Sequence, residues 1–109
     1  MQVLTAKYEY SDDILKITLH GEIDHHSAKA AREEIDLKIL EYRAKTVLID
    51  LQGVGFMDSS GLGLILGRYT HAKEAGSVLK VINPSPGAEK VLRMAGTDKI
   101  IPIIHRKNN

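Results

Sequence analysis

Ser59 is the residue whose type and position offer this chain the most chemistry. It stands in Phe56-Met57-Asp58-Ser59-Ser60-Gly61-Leu62-Gly63, where an apolar run gives way to a helical pattern. A hydroxyl at a helix start lies among unpaired N–H groups and at the positive end of the macrodipole, a place that accommodates an anion. A phosphoryl group there would add about −1.5 to −2 charges. The residues alone leave a second reading open, in which Asp58, Ser59 and Ser60 are capping residues and nothing more. Capping accounts for one of them and leaves the glycines of the same segment unexplained. Gly61, Gly63 and Gly67 fall inside the helical pattern, where each costs about 1 kcal/mol relative to alanine. Close packing of helix on sheet is one reason for Gly67; for Gly61 and Gly63, in an exposed first turn, the approach of another molecule's backbone is the expectation.

Three other chemistries fit these residues less well. A serine hydrolase would place Ser59 between strand and helix, but Gly-x-Ser-x-Gly is absent. A base would have to be His20, His25, His26, His71 or His105, and no spacing singles one out. Asp24-His25-His26 suggests a metal site, yet adjacent histidines on a helix point in different directions, so solvated helix-entry residues are the better account. Gly61-x-Gly63 suggests a phosphate loop, but the third glycine, at 67, is one position late for Gly-x-Gly-x-x-Gly, and no P-loop lysine follows. Any ATP therefore belongs to a partner. The expectation is a non-enzyme with no cofactor and no metal.

The elements that must position Ser59 are legible in the pattern. Val3 to Tyr10 and Ile14 to His20 read as a hairpin about the turn cluster Ser11-Asp12-Asp13, and Gly21 interrupts the second strand. Ala28, Ala31, Ile35, Ile39 and Tyr42 recur at helical spacing opposite charged residues, with Asp24 or Ser27 as N-cap. Thr46 to Leu51 is a β-branched run suited to a strand covered on both faces, and Gln52 to Met57 reads as a connection. The second helix follows with a stripe of Leu62, Ile65, Leu66, Tyr69 and Ala72 and a stop at Gly76. Val78 to Ile82 is the next strand. Ser85-Pro86 opens a third helix through Val91, Leu92 and Ala95, ending at Gly96. Ile100 to Ile104, broken by Pro102, reads as an edge strand, and the tail from His105 to Asn109 as frayed. The order β-β-α-β-α-β-α-β predicts an α/β fold: one domain over 1–109, with a mixed sheet of four or five strands and helices packed against it.

Bulk composition excludes several classes. The chain has 109 residues, 43% hydrophobic and 27% charged, with 15 basic and 14 acidic side chains giving a formal net charge of +1. That balance offers no electrostatic argument for nucleic acid or an acidic membrane. The absence of cysteine removes disulfides and thiolate metal sites. No apolar run approaches the roughly 20 residues that span a bilayer, and the N-terminus lacks the apolar core of a signal peptide, so a cytoplasmic protein is expected. One phenylalanine and no tryptophan argue against a base-stacking surface.

Phe56 to Gly63, continuing Ile65-Leu66-Gly67-Arg68-Tyr69, resembles the signature of the bacterial anti-sigma factor antagonists of the STAS family. Gly21-Glu22-Ile23-Asp24-His25-His26 resembles that family's second motif, just before the first helix. Two motifs at the right separation make the resemblance specific, and it covers nearly the whole chain. It is closer to the branch acting on the sporulation sigma factor than to the general-stress branch. The resemblance implies that Ser59 is the phosphoacceptor and that the anti-sigma factor is itself the ATP-using serine kinase. It implies further that a PP2C-type phosphatase reverses the reaction, and that the unphosphorylated form binds the anti-sigma factor and releases the sigma factor. Gly21, Glu22, Asp24, Asp58, Ser60, Gly61, Leu62 and Gly63 then form the partner surface, and the free chain is expected to be a monomer. The alternative is a STAS module phosphorylated on Ser59 within a different partner-switching complex.

Overall fold

The computed structural model describes residues 3–106. The part of the expected frayed tail at residues 107–109, and the first two residues, lie outside the described residues. Five strands form one sheet in chain order: β1 (Thr5–Ser11), β2 (Ile14–Ile23), β3 (Thr46–Met57), β4 (Val78–Ile82) and β5 (Ile103–Ile104). β1 pairs antiparallel with β2, and every later pairing is parallel. Asp12 and Asp13, both at positive φ, make the two-residue turn of the β1–β2 hairpin, the backbone shape that matches strand twist. Three α-helices, α1 (His25–Tyr42), α2 (Ser59–Glu74) and α3 (Pro86–Met94), connect the parallel strands, with a 3-10 turn at Thr97–Lys99 before β5.

Because βαβ crossovers are right-handed and each here steps one strand in the same direction, all three helices pack on one face of the sheet. Their buried residues, Ile35 and Ile39, Leu64 and Ile65, Ala88 and Leu92, join Ile17, Ile49 and Val81 in a single core. On the other face the register aligns Lys16, Leu48 and Lys80, and beside them Thr18, Asp50 and Ile82. Leu48, Asp50 and Ile82 are buried there without a helix above them. β3 is thus buried on both faces, as its β-branched run predicts, although helices cover only one.

Three expectations need correction. Gln52 to Met57 is not a connection but the second half of β3, which runs past the end of β4 and stays paired with β2. The Gly21 interruption is a register shift inside β2, not its end. Gly21 has φ +121°, and a Cβ there would collide with the Val3 carbonyl oxygen. The last strand is shorter than expected: Ile100 ends the 3-10 turn, and only Ile103 and Ile104 pair with β4.

Candidate functional site

The long second half of β3 is what brings the two motifs together. Ile23 and Met57 are register partners at the ends of β2 and β3, and the Asp58 N–H donates to the Ile23 carbonyl at 3.4 Å. Asp24 and Asp58, the next residue on each strand, are therefore neighbours, and each caps the helix that follows. Asp24 accepts from the Ser27 N–H at 2.9 Å, while the Asp24 N–H donates to the Ser27 hydroxyl at 3.1 Å. Both N-cap candidates are used, since Asp24 is the cap and Ser27 completes the capping box. The Ser27 hydroxyl also donates to the Glu22 carbonyl at 3.1 Å, tying α1 to the end of β2. The Ser27 N–H holds the Asp24 carboxyl below its ordinary range against the opposing effect of desolvation, with smaller contributions from the Ser27 hydroxyl and the His26 N–H.

In α2 the Asp58 carboxylate accepts from the Ser60 N–H at 2.8 Å, and the Asp58 carbonyl receives the N–H groups of Gly61 and Leu62. With Asp58 as N-cap, Ser59 is the first helical residue. Its side chain is exposed and takes part in no hydrogen bond among the described residues.

The structure places Gly21 to Asp24 and Asp58 to Gly63 at one end of the sheet. Their exposures differ. Ser59 and Gly63 are exposed; Glu22, Asp24, Asp58, Ser60 and Leu62 are half-buried; Gly21 and Gly61 are buried. Gly61 corrects the expectation of an exposed turn, because a Cβ there would collide with Cγ of Met57 and lie 3.4 Å from Ile23. Its glycine is required by β3 and β2 beneath it. Gly67 corrects the other expectation: no heavy atom lies within 4 Å of where its Cβ would be, so tight packing on the sheet is not its reason. Gly63 is equally open.

One residue of this surface was not singled out from the sequence. Phe56, the chain's one phenylalanine, is 50% exposed and pairs in register with Glu22. Alternation from the buried Val54 would turn Phe56 inward; the register shift between Gly21 and Glu22 sets Phe56 opposite Glu22 and exposed, a long-range effect that the local sequence pattern does not carry. Among the described residues no group of three His, Cys, Asp or Glu side chains converges to hold a metal ion; His25 and His26 are exposed on α1. No helix among them is long and apolar enough to cross a membrane.

Comparison with known proteins matches this geometry to one family. A family model described as the STAS domain matches residues 5–108. An anti-sigma F factor antagonist from Paenibacillus polymyxa is 35% identical over 106 residues, covering 97% of this chain and 91% of that one. Among solved structures, the anti-sigma factor antagonist SpoIIAA in its unphosphorylated form superposes with a TM-score of 0.80 at 28% identity, over 95% of this chain and 90% of that one. The Bacillus cell fate determinant SpoIIAA in its phosphorylated form gives 0.73 at 28% identity, over 95% and 93%.

Proposed function

The chain belongs to the STAS domain family, and from that premise we propose that it is an anti-sigma factor antagonist switched by phosphorylation of Ser59. One observation carries the reading: the Ser59 hydroxyl is exposed and unpartnered at the first position of α2, because Asp58 already makes the capping bond. A side chain with no internal role, set among helix N–H groups, is a fit acceptor for a phosphoryl group. That SpoIIAA is known in phosphorylated and unphosphorylated forms supports the same reading.

The unphosphorylated form binds an anti-sigma factor and frees its sigma factor. The anti-sigma factor, acting as an ATP-dependent serine kinase, phosphorylates Ser59, and a PP2C-type phosphatase resets it. The bond-making groups reside in the partner, so this chain is a regulator in the cytoplasm rather than an enzyme, and it is a monomer when free. The docking surface is the end of the sheet formed by Gly21 to Asp24 and Asp58 to Gly63, with Phe56 as an apolar anchor, since exposed aromatics dominate binding when desolvated.

The switch is electrostatic and local. A phosphate on Ser59 stands beside the carboxylates of Asp24 and Asp58 and opposes any acidic or nucleotide-bearing partner surface. Like-charge juxtaposition costs several kcal/mol across an interface, and about 2.7 kcal/mol is already a hundredfold in affinity. The test is to incubate the protein with its anti-sigma factor and ATP and locate the phosphate by mass spectrometry. Ser59→Ala is expected to abolish labelling while retaining binding, and Ser59→Asp to weaken binding. Labelling that persists in Ser59→Ala refutes the proposal.

A further inference from the structure

The first turns of α1 and α2 leave between them an open groove of about 520 Å³, lined by His25, Lys29 and Arg32 from one helix and Ser60, Gly63 and Leu64 from the other. We infer that this groove receives an acidic segment of the partner that acts on Ser59. The inference rests on the Ser59 reading and adds to it the partner's chemistry and the residues that recognise it.

The cations of the groove are not used within the fold. Lys29 and Arg32 are exposed, and neither forms an ion pair or hydrogen bond among the described residues. Each has an acidic residue one turn later, Glu33 and Asp36. Glu33 forms no ion pair either, and Asp36 is committed to α2, its Oδ1 2.7 Å from Arg68 Nε. Arg68 is buried, and its Nη1 has no hydrogen-bond partner. Burial lowers the Arg68 pKa, Asp36 opposes that, and the nearby Arg32 lowers it further.

Local stability would have favoured the opposite charges. The first turn of α1 holds no acidic residue, although that end of a helix favours them. It begins with His25 and His26, followed by Lys29 and Arg32. Gly63 adds a second departure. Nothing lies within 4 Å of its Cβ position, so alanine would fit and would favour the helix by about 1 kcal/mol. No contact within the chain requires that glycine. It keeps the floor of the groove at backbone level.

The groove also lies where a partner must be. Ser60, on its rim, is the residue after the acceptor, and an active site large enough to transfer phosphate to Ser59 covers it. An acidic polypeptide segment fits better than a nucleic acid or free nucleotide. The groove offers only two fixed cations and the whole molecule has a net charge of only +1, too little positive charge to hold a continuous phosphate chain.

The experiment compares wild type with the Lys29→Glu/Arg32→Glu double variant, using the anti-sigma factor of the same organism as probe and calorimetry at 50 and 300 mM salt. Wild-type affinity is expected to fall with salt. The double variant is expected to bind at least tenfold more weakly, with a flattened salt dependence, and to be phosphorylated with a raised KM and an unchanged kcat. Its thermal midpoint should stay within a few degrees of wild type, and Lys29→Gln/Arg32→Gln should fall between the two in affinity. Wild-type Kd and salt dependence in the double variant, with Ser59 still labelled, overturn the inference and leave the proposed function intact. Absence of Ser59 labelling in wild type sinks the proposed function instead. Loss in the double variant of binding to ATP alone or to an RNA oligomer, with partner binding preserved, assigns the groove to phosphates and also overturns it.

Discussion

The four residues around Ser59 divide their labour in a way that individual substitutions can separate. Asp24 and Asp58 are occupied in holding backbone N–H groups, which leaves the serine hydroxyl uncommitted within the fold. Because Asp24 titrates below its ordinary value when folded, its charge contributes stability that is fully present above the unfolded pKa of about 3.9. That contribution is lost as pH falls through the lower, folded value. Asn can cap a helix without a charge, so Asp24→Asn isolates the ionic part. The stability gap between wild type and Asp24→Asn, from urea unfolding, is expected to be constant above pH 5 and to shrink below about pH 4. A gap independent of pH down to 3 would show that the carboxylate charge is immaterial. The glycines give the complementary contrast. Gly61→Ala forces Met57 aside and is expected to destabilise by about 1–3 kcal/mol, the usual range for overpacking. Gly63→Ala is expected to be neutral or to stabilise by up to about 1 kcal/mol while weakening partner binding. Equal effects of the two on unfolding would contradict the assignment of one glycine to the core and the other to the surface.

At the scale of elements, the sequence shows clearly what depends on near neighbours and poorly what depends on distant ones. The caps of α1 and α3, the glycine stop of α2 and the bounds of β4 are all local, and each is where the pattern predicts it. In the second half of β3, Gly53 and Gly55 interrupt the β-branched pattern, and only pairing with β2 makes the segment a strand. The stripe read on α2 was likewise incomplete. Leu62, Leu66 and Tyr69 are half-buried, while Leu64 and Arg68, outside the stripe, are buried. α2 packs against both α1 and α3, so its buried arc is wider than a single stripe, and Arg68 is drawn inside by a partner 32 residues earlier on α1. Arg68 Nε and Asp36 Oδ1 are 2.7 Å apart, a charge contact whose alignment is not that of a hydrogen bond, and His71 Nε2 lies 3.8 Å from the same carboxylate oxygen. Removing Asp36 strands a guanidinium that is only 7% exposed. Asp36→Ala is therefore expected to cost about 3 kcal/mol, the low end for a broken buried pair, because Asp36 itself is 28% exposed and partly screened. Arg68→Met, which removes the buried charge as well, is expected to cost less. Chemical denaturation of both variants checks the order, and a reversal would mean that the pair holds the helices by geometry rather than by charge.

For the molecule as a whole, the site lies at a margin of the fold rather than in its interior. Successive crossovers in one direction stack the three helices over the sheet, and the deepest burial follows the central strands: Leu15, Ile17 and Leu19 of β2 and Val47, Ile49 and Leu51 of β3. Ser59 follows the end of β3, beyond the last residues that pair with β4. A charge added there meets solvent, two capping carboxylates and the ends of two helices, and not the core. The favourable dipole interaction of a phosphate, about 0.3–1 kcal/mol, is small beside the 5–15 kcal/mol that holds a typical domain together. The two forms that the proposed switch requires should consequently share one core and differ only at one end. Amide hydrogen exchange gives the test at residue resolution. The slowest amides are expected in β2 and β3, with the same protection in both forms, and phosphorylation should alter exchange only over residues 22–29 and 56–64. A change in protection at Val47 to Leu51, or across β4, would mean that the phosphate reorganises the fold itself, and a switch acting purely through the docking surface would be wrong.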